Sequence, residues 1–539
     1  MLFNSYEFIF GFMPLVLAGF FLLGAGSRVW ALRWLILASL LFYVLWRPVN
    51  VLIIAPSIIV NFVLARRLQS LAARNRPDTA RVVLLAGITF NVLFLGYFKY
   101  ANFTADVLHD AFGTNLALER IILPLGISFI TFQKIAFLVD VHARRVEAFT
   151  LQDYALFVLF FPQLVAGPIV HYREMMPQFH RASCRFDREN VAVGLTLFLM
   201  GLCKKVYLAD GIAPMVTPIY EHAAAGGSVS LLPAWMAALG FTLQMYFDFS
   251  GYSDMALGLA RAVGVRLPAN FYSPLKASSI IDFWQRWHIT LTRFLTAYIY
   301  NPLALWLTRR RQARGLPPFA GAHRTAGAFL QLVMFPTVLT MFISGLWHGA
   351  GYLFIVWGLL HGLYLTVNHA WRLVRPRFFP DRERYDRIMT PIGFAITFIG
   401  VAAAMVIFRA TTPHSAGNLL QGMLGANGFA LPAGILDRLG SLGEMLRRAS
   451  VGAGIGIEVD FVRLGVWIVG LGAVALGFPN TLQILARYEP ALAVPSEQAG
   501  VRLRLRWEPS PVWALVVAAI GAIGVLHLGG QSEFLYWQF

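Results

Sequence analysis

About twelve apolar runs of near-bilayer length recur along this chain, and charged segments punctuate them. The runs fall at 8–24, 30–46, 50–65, 82–99, 121–140, 191–208, 233–260, 328–345, 351–370, 391–409, 463–478 and 512–528. A backbone that crosses hydrocarbon must satisfy its own polar groups, so runs of this length predict helices. Of the 539 residues, 58% are hydrophobic and only 13% charged, against about 25% charged in a soluble domain. The fold class that follows is an all-α polytopic membrane protein of about 12 crossings, read as one membrane-embedded unit over 1–539.

The formal charge of +17 first suggests nucleic acid, but its placement points to topology. Basic segments at 66–81, 141–149, 171–188, 307–315, 371–387 and 501–507 are expected on the cytoplasmic face. The poorly basic connections 102–119, 210–231 and 411–462 are expected outside, the last as a cap or loop. Alternating runs satisfy all of these with both termini outside. Cys184 and Cys203 suggest neither a disulfide framework nor a metal site.

Some stretches do not read as simple crossings. Residues 151–170 have basic flanks and contain Pro162, Gly167 and Pro168, which predicts a re-entrant hairpin. Residues 270–306 read as interfacial or re-entrant from the cytoplasm. Residues 233–260 exceed one untilted span, and QMYFDFSGYSDM within them is expected to bend or break the helix. Lys204 and Lys205 either snorkel to the outer surface or line a polar interior.

Ionisable side chains in such surroundings need a reason. His348, in ISGLWHGAGYLF, lies at the turn of an outward hairpin; it is either a base or a histidine satisfied by backbone. His288, in DFWQRWHITLTRF, reads first as an interfacial anchor, though its approach from the cytoplasm complements that of His348 from outside. Asp248 and Asp254 are intramembrane acids that either pair with Lys204, Lys205 or Arg286, or carry protons. No phosphate loop, dinucleotide fingerprint, zinc motif or nucleophile elbow is convincing, and GAGIG at 452–456 is a lone Gly-rich stretch in a segment expected outside, discounted as a nucleotide site.

Several stretches taken together resemble the membrane-bound O-acyltransferase family, and within it the type that O-acetylates alginate and other exopolysaccharides. They are YFKYANF (97–103), LPLGISFITFQ (123–133), FFPQLVAGPIV (160–170), QMYFDFSGYSDMALGLA (244–260), NFYSPLKASSIIDFWQRWHITLTRFL (270–295) and SGLWHGAGYLFIVWGLLHG (344–362), with the aromatic tail SEFLYWQF. The resemblance implies re-entrant and interfacial helices around a central tunnel in the bacterial inner membrane. It also implies transfer of an acetyl group from cytoplasmic acetyl-CoA, a co-substrate, with no bound cofactor and no metal. The acceptor would be an extracytoplasmic polysaccharide, reached through a periplasmic SGNH-type acetyltransferase partner. His348 matches the family's catalytic histidine and His288 its second position, which would orient the donor carbonyl or polarise it as a hydrogen-bond donor. Trp347, Gln285 and Asp248 are candidates to line the tunnel. Arg309, Arg310 and Arg311 either attract the CoA phosphates or only mark the cytoplasmic side. Tyr536 in the tail is a candidate acyl relay, set against plain packing. The alternative function is a flippase for a lipid-linked sugar or acyl group. Membrane lipids are expected partners and nucleic acid is not.

Overall fold

The computed structural model describes residues 1–114, 118–119, 121–181, 183–319, 325–431, 433–448, 457–495 and 505–529. Each of the twelve apolar runs coincides with a helix. Among the described residues, eight helices are long and apolar enough to cross a bilayer. Four come first: α1 (Glu7–Gly26), α2 (Arg28–Trp46), α3 (Val49–Ala73) and α4 (Pro77–Phe112). α5 (Ile127–His142) is short but almost wholly buried in protein, so lipid does not set its length. The stretch 151–170 breaks as expected: α6 (Leu151–Leu159) ends at Phe160, α7 (Phe161–Leu164) follows, and the chain then runs without helix to α8 (Tyr172–Arg181).

The centre of the molecule is a helix pair, α9 (Arg188–Ala224) and α10 (Leu231–Ala262). Two departures from expectation occur here. α9 runs on into the connection expected at 210–231 as far as Ala224, widening into a π stretch over Lys204–Ala209. α10 is continuous through QMYFDFSGYSDM, where no break occurs. The reason lies in what surrounds those residues. A Cβ added at Gly201 would lie 2.5 Å from the Gly251 carbonyl oxygen, and one at Gly258 would lie 2.5 Å from that of Gly194. The two backbones therefore approach at glycines spaced seven apart, as small residues allow between membrane helices. The two acids of this stretch, Asp248 and Asp254, are paired. Lys205 reaches Asp248 at 2.6 Å and Asp210 at 2.7 Å, and Lys204 reaches Asp254 at 2.6 Å. Thr481 Oγ1 donates to Asp254 at 2.8 Å. The lysines thus line a polar interior and do not snorkel.

The segment 270–306, read as interfacial or re-entrant, is divided into short helices. α11 (Ile280–Trp284) and α12 (Ile289–Leu295) are short, and α12 continues through Thr296–Tyr300 into Asn301–Gln312. Then come α13 (Ala326–His348), α14 (Tyr352–Phe378) and α15 (Arg382–Arg409), all of spanning length. α16 (Pro413–Met423) opens the 411–462 region, and α17 (Phe461–Gly477) and α18 (Pro511–Leu526) are shorter apolar helices that follow it among the described residues.

Contacts between distant segments sort the connections into two sides. Arg144 donates to the Ala72 carbonyl at 3.1 Å, and His180 meets Asp153 at 3.0 Å. Both contacts join segments expected at the cytoplasmic face. On the other side, Asn418 Nδ2 donates to the Gly227 carbonyl at 2.6 Å, Trp235 Nε1 to Met423 at 3.0 Å, and Tyr207 packs on His527 at 4.8 Å. The end of the 210–231 connection and residues 418–428 therefore share one face.

Candidate active site

α13 and α14 form a hairpin so close that a Cβ on Gly345 or Gly358 would collide with the facing backbone. α13 ends at His348 because Gly349 turns to extended backbone (φ −165°, ψ 157°). His348 is buried, and its ring packs edge-on against Trp357 at 4.9 Å and Phe408 at 5.5 Å. The carbonyls of the last helical turn lack intrahelical partners. Two of them are taken by α4: the Lys99 ammonium donates to the Trp347 carbonyl and the Tyr100 hydroxyl to that of Leu346.

His288 comes from the opposite direction, at the head of α12. Its backbone is left-handed (φ 43°, ψ 52°), a region non-glycine residues seldom occupy unless the surroundings enforce it. The enforcement is visible: Ile289 N donates to the Asn270 carbonyl at 2.9 Å, and Tyr272 N to Arg286 at 2.9 Å. Asn270 Oδ1 also accepts from Thr290 N at 3.3 Å and Thr290 Oγ1 at 2.8 Å, while its amide donates to Ser253 Oγ at 3.2 Å. A backbone N–H only donates, so the atom facing it is the amide oxygen. His288 Nδ1, 3.0 Å from the same oxygen, must therefore carry the proton and donate. A neutral His288 then bears its lone pair at Nε2, where it accepts. This argues against the expected polarising role as a hydrogen-bond donor and leaves the orienting one.

The two rings approach to 6.5 Å between centroids. Trp347 lies against both, 5.9 Å from His288 and 5.0 Å from His348, and stacks on Phe132 at 5.2 Å. A third histidine, His361, is fully buried; Trp284 Nε1 donates to its Nδ1 at 3.3 Å, and Trp357 lies 4.7 Å away. Gln285 lines a cavity of about 350 Å³ together with Trp284, Ile289, Thr292, Arg173 and Arg293. This cavity has arginines on one wall and the chain neighbours of His288 on another.

The other candidates fall elsewhere. Asp248 lies on the face of α10 that meets Lys205, whereas Phe249 meets the His288 ring at 4.8 Å. Asp248 therefore holds helices together and does not line the site. Arg311 is engaged with the Pro317 carbonyl at 2.8 Å and Gln331 at 3.2 Å, and Arg310 lies over Trp306. None of Arg309–Arg311 lines the cavity at Gln285. Tyr536 lies outside the described residues. Sequence reasoning did not single out Lys99, Asn270 or His361. Lys99 carried one signal, a lone cation near the end of an apolar run. His361 carried another, a four-residue spacing from Trp357 on one helix face.

A many-helix membrane protein with two histidines enclosed where a broken segment meets a helix end has the layout of an enzyme that works inside the bilayer. A sequence profile for the membrane-bound O-acyltransferase family matches residues 83–315, which include His288 and stop short of His348. A protein of Pseudomonas aeruginosa named "Probable alginate O-acetylase AlgI" is 32% identical over the whole of both chains. A peptidoglycan O-acetyltransferase of Helicobacter pylori is 37% identical over 80% of this chain and 81% of its own. A teichoic acid D-alanyltransferase of Streptococcus thermophilus is 26% identical over 53% of this chain and 68% of its own. The chain belongs to the membrane-bound O-acyltransferase family, and it is a multi-pass acyltransferase.

Proposed function

We propose that this enzyme moves an acetyl group from cytoplasmic acetyl-CoA to the outer face of the inner membrane, for O-acetylation of a polysaccharide. The observation that carries the reading is the meeting of two buried histidines from separate segments, one at a helix end and one on a non-helical bend. The relatives named for alginate and for peptidoglycan supply the acceptor class. The arginine-lined cavity at Gln285 supplies an entrance for a phosphorylated donor. Arg173 fits that task better than Arg309–Arg311, with Arg293 beside it in an ion pair with Glu174.

In the step itself, an acceptor hydroxyl attacks the thioester carbonyl carbon while His348 takes its proton. The tetrahedral oxyanion collapses, the carbon–sulfur bond breaks, and the departing thiolate takes the proton from His348. His288, accepting at Nε2, orients an N–H or O–H of the bound reactants. Lys99 holds the end of α13 through the Trp347 carbonyl, which leaves two of its three N–H donors for the developing oxyanion.

The final acceptor is a polymer, and a separate periplasmic SGNH-type acetyltransferase is the expected carrier to it. Tyr536 serves as the relay in this reading: its phenol takes the acetyl group and the reactive aryl ester passes it to the partner. Mass spectrometry of ester-linked acetate on the exopolysaccharide tests both levels. A deletion strain is expected to lose the acetate. Tyr536→Phe, which keeps nearly all the packing area, is expected to lose it too. Full acetylation in the Tyr536→Phe strain eliminates the relay, and full acetylation in the deletion strain removes the function.

The orientation has its own test. Single cysteines at positions 310 and 430, in a chain with Cys184 and Cys203 replaced by serine, are treated on intact cells with an impermeant thiol reagent. Position 430 is expected to label and position 310 only after lysis. The reverse pattern inverts the topology and with it the direction of transfer.

A further inference from the structure

A second, larger cavity of about 1180 Å³ lies between α14, α15 and the turn at Ser278–Ile280. Its two ends differ in chemistry. One end carries Arg372, Arg375 and Arg382 with Trp371 and Tyr385. Arg382 is partly neutralised by Asp386 at 3.5 Å, and the Arg375 guanidinium lies over the Tyr385 ring at 4.9 Å. Trp371 Nε1 donates to the Tyr385 hydroxyl at 2.6 Å, which fixes the aromatic pair as a floor. Two buried polar atoms here, Arg375 Nε and Asn368 Oδ1, have no hydrogen-bond partner in the protein. Buried polar groups are nearly always satisfied, so both point to a missing partner. The other end is apolar. Leu363, Val367, Ile396 and Ile399 line it while remaining half or more exposed. On two membrane-spanning helices, such exposed apolar walls open sideways to lipid, not to water.

We propose that this cleft is a binding site for one anionic phospholipid of the leaflet that faces the basic segments. Its phosphate oxygens accept from Arg372 and Arg375, and its acyl chains lie along Leu363, Val367, Ile396 and Ile399. Basic pockets between membrane helices select anionic headgroups by this complementarity. The lateral opening distinguishes a bilayer amphiphile from the water-borne donor, which enters at the smaller cavity. The site also touches the reaction centre: Tyr364 lines the cleft and meets the His361 ring at 5.7 Å, and His361 is bonded to Trp284. Bound lipid therefore braces the aromatic packing behind His348.

The test uses the full-length protein in mixed micelles, with dioleoyl phosphatidylglycerol as probe and phosphatidylcholine as control, read by native mass spectrometry. The wild type is expected to retain one phosphatidylglycerol in preference to phosphatidylcholine. The Arg372→Gln/Arg375→Gln variant should lose that preference roughly tenfold or more. Val367→Trp, which fills the apolar slot and leaves the charges alone, is expected to lower retention of both lipids. Equal phosphatidylglycerol retention by wild type and the double variant, each monodisperse on size exclusion, overturns the proposal. So does displacement of the bound lipid by CoA, which would assign the cleft to the donor. Both outcomes are independent of which polysaccharide is acetylated.

Discussion

Replacing His348 by glutamine is expected to abolish acetyl transfer while the protein still inserts and folds. Glutamine fills most of the volume between Trp357 and Phe408 but cannot take and return a proton at neutral pH. General-base help is worth about 10²–10⁴-fold, so the loss should lie in that range. Ester-linked acetate on the exopolysaccharide, normalised to membrane protein, gives the measure, and size exclusion in detergent gives the fold. Normal acetylation by a stable His348→Gln protein would sink the assignment. A companion variant separates chemistry from architecture. Lys99→Met removes the ammonium beside the Trp347 carbonyl and is expected to lower kcat by about 10²-fold with KM little changed. Lys99→Arg keeps the charge and should recover part of it. If Lys99→Met changes KM and kcat in proportion, or changes neither, the ammonium does not act on the oxyanion.

The second large effect is on stability. Lys205 has a side chain only 1% exposed and joins Asp248 and Asp210. Lys205→Met leaves the buried Asp248 and the partly buried Asp210 without their cation, and breaking a buried pair in this way costs about 3–5 kcal/mol. The variant should melt well below the parent or fail to accumulate. Removing the stranded charges as well, in Lys205→Met/Asp248→Leu/Asp210→Asn, should return most of the loss, since a well-packed apolar replacement is often neutral. A Lys205→Met protein that melts with the parent would show that the cluster does not hold α10 to the π stretch of α9.

This cluster also marks where sequence reading reached its limit. Apolar length and basic flanks located all twelve runs and both broken segments, because those signals are local. The fate of QMYFDFSGYSDM was not local. Its glycines and acids looked like a break, yet Gly251 and Gly258 meet Gly201 and Gly194, and Asp248 and Asp254 meet Lys205 and Lys204, some 50 residues earlier. Polar residues that weaken a lone helix become its adhesive once a partner helix carries the complement. His288 and His348 were legible through the motifs around them. Asn270 was not, because nothing in NFYSPL indicates that one amide oxygen will take hydrogen bonds from both Thr290 and His288. Arg309–Arg311 were ambiguous for a different reason: an arginine run serves topology and phosphate alike, and only the cavities separate the two.

The location of His288 on a non-helical bend has a consequence for biogenesis. The chain around Asn270 and His288 exposes backbone groups that lipid cannot satisfy, and it is tolerable only once Thr290, Ser253 and the neighbouring helices enclose it. The long helices can enter the bilayer one by one as they leave the insertion machinery. The bend cannot be satisfied by lipid alone, so its burial depends on α10 and α13 being in place around it. The reaction centre is thus a product of helix assembly and not of insertion, so the same helices placed singly in the bilayer do not yet make an enzyme.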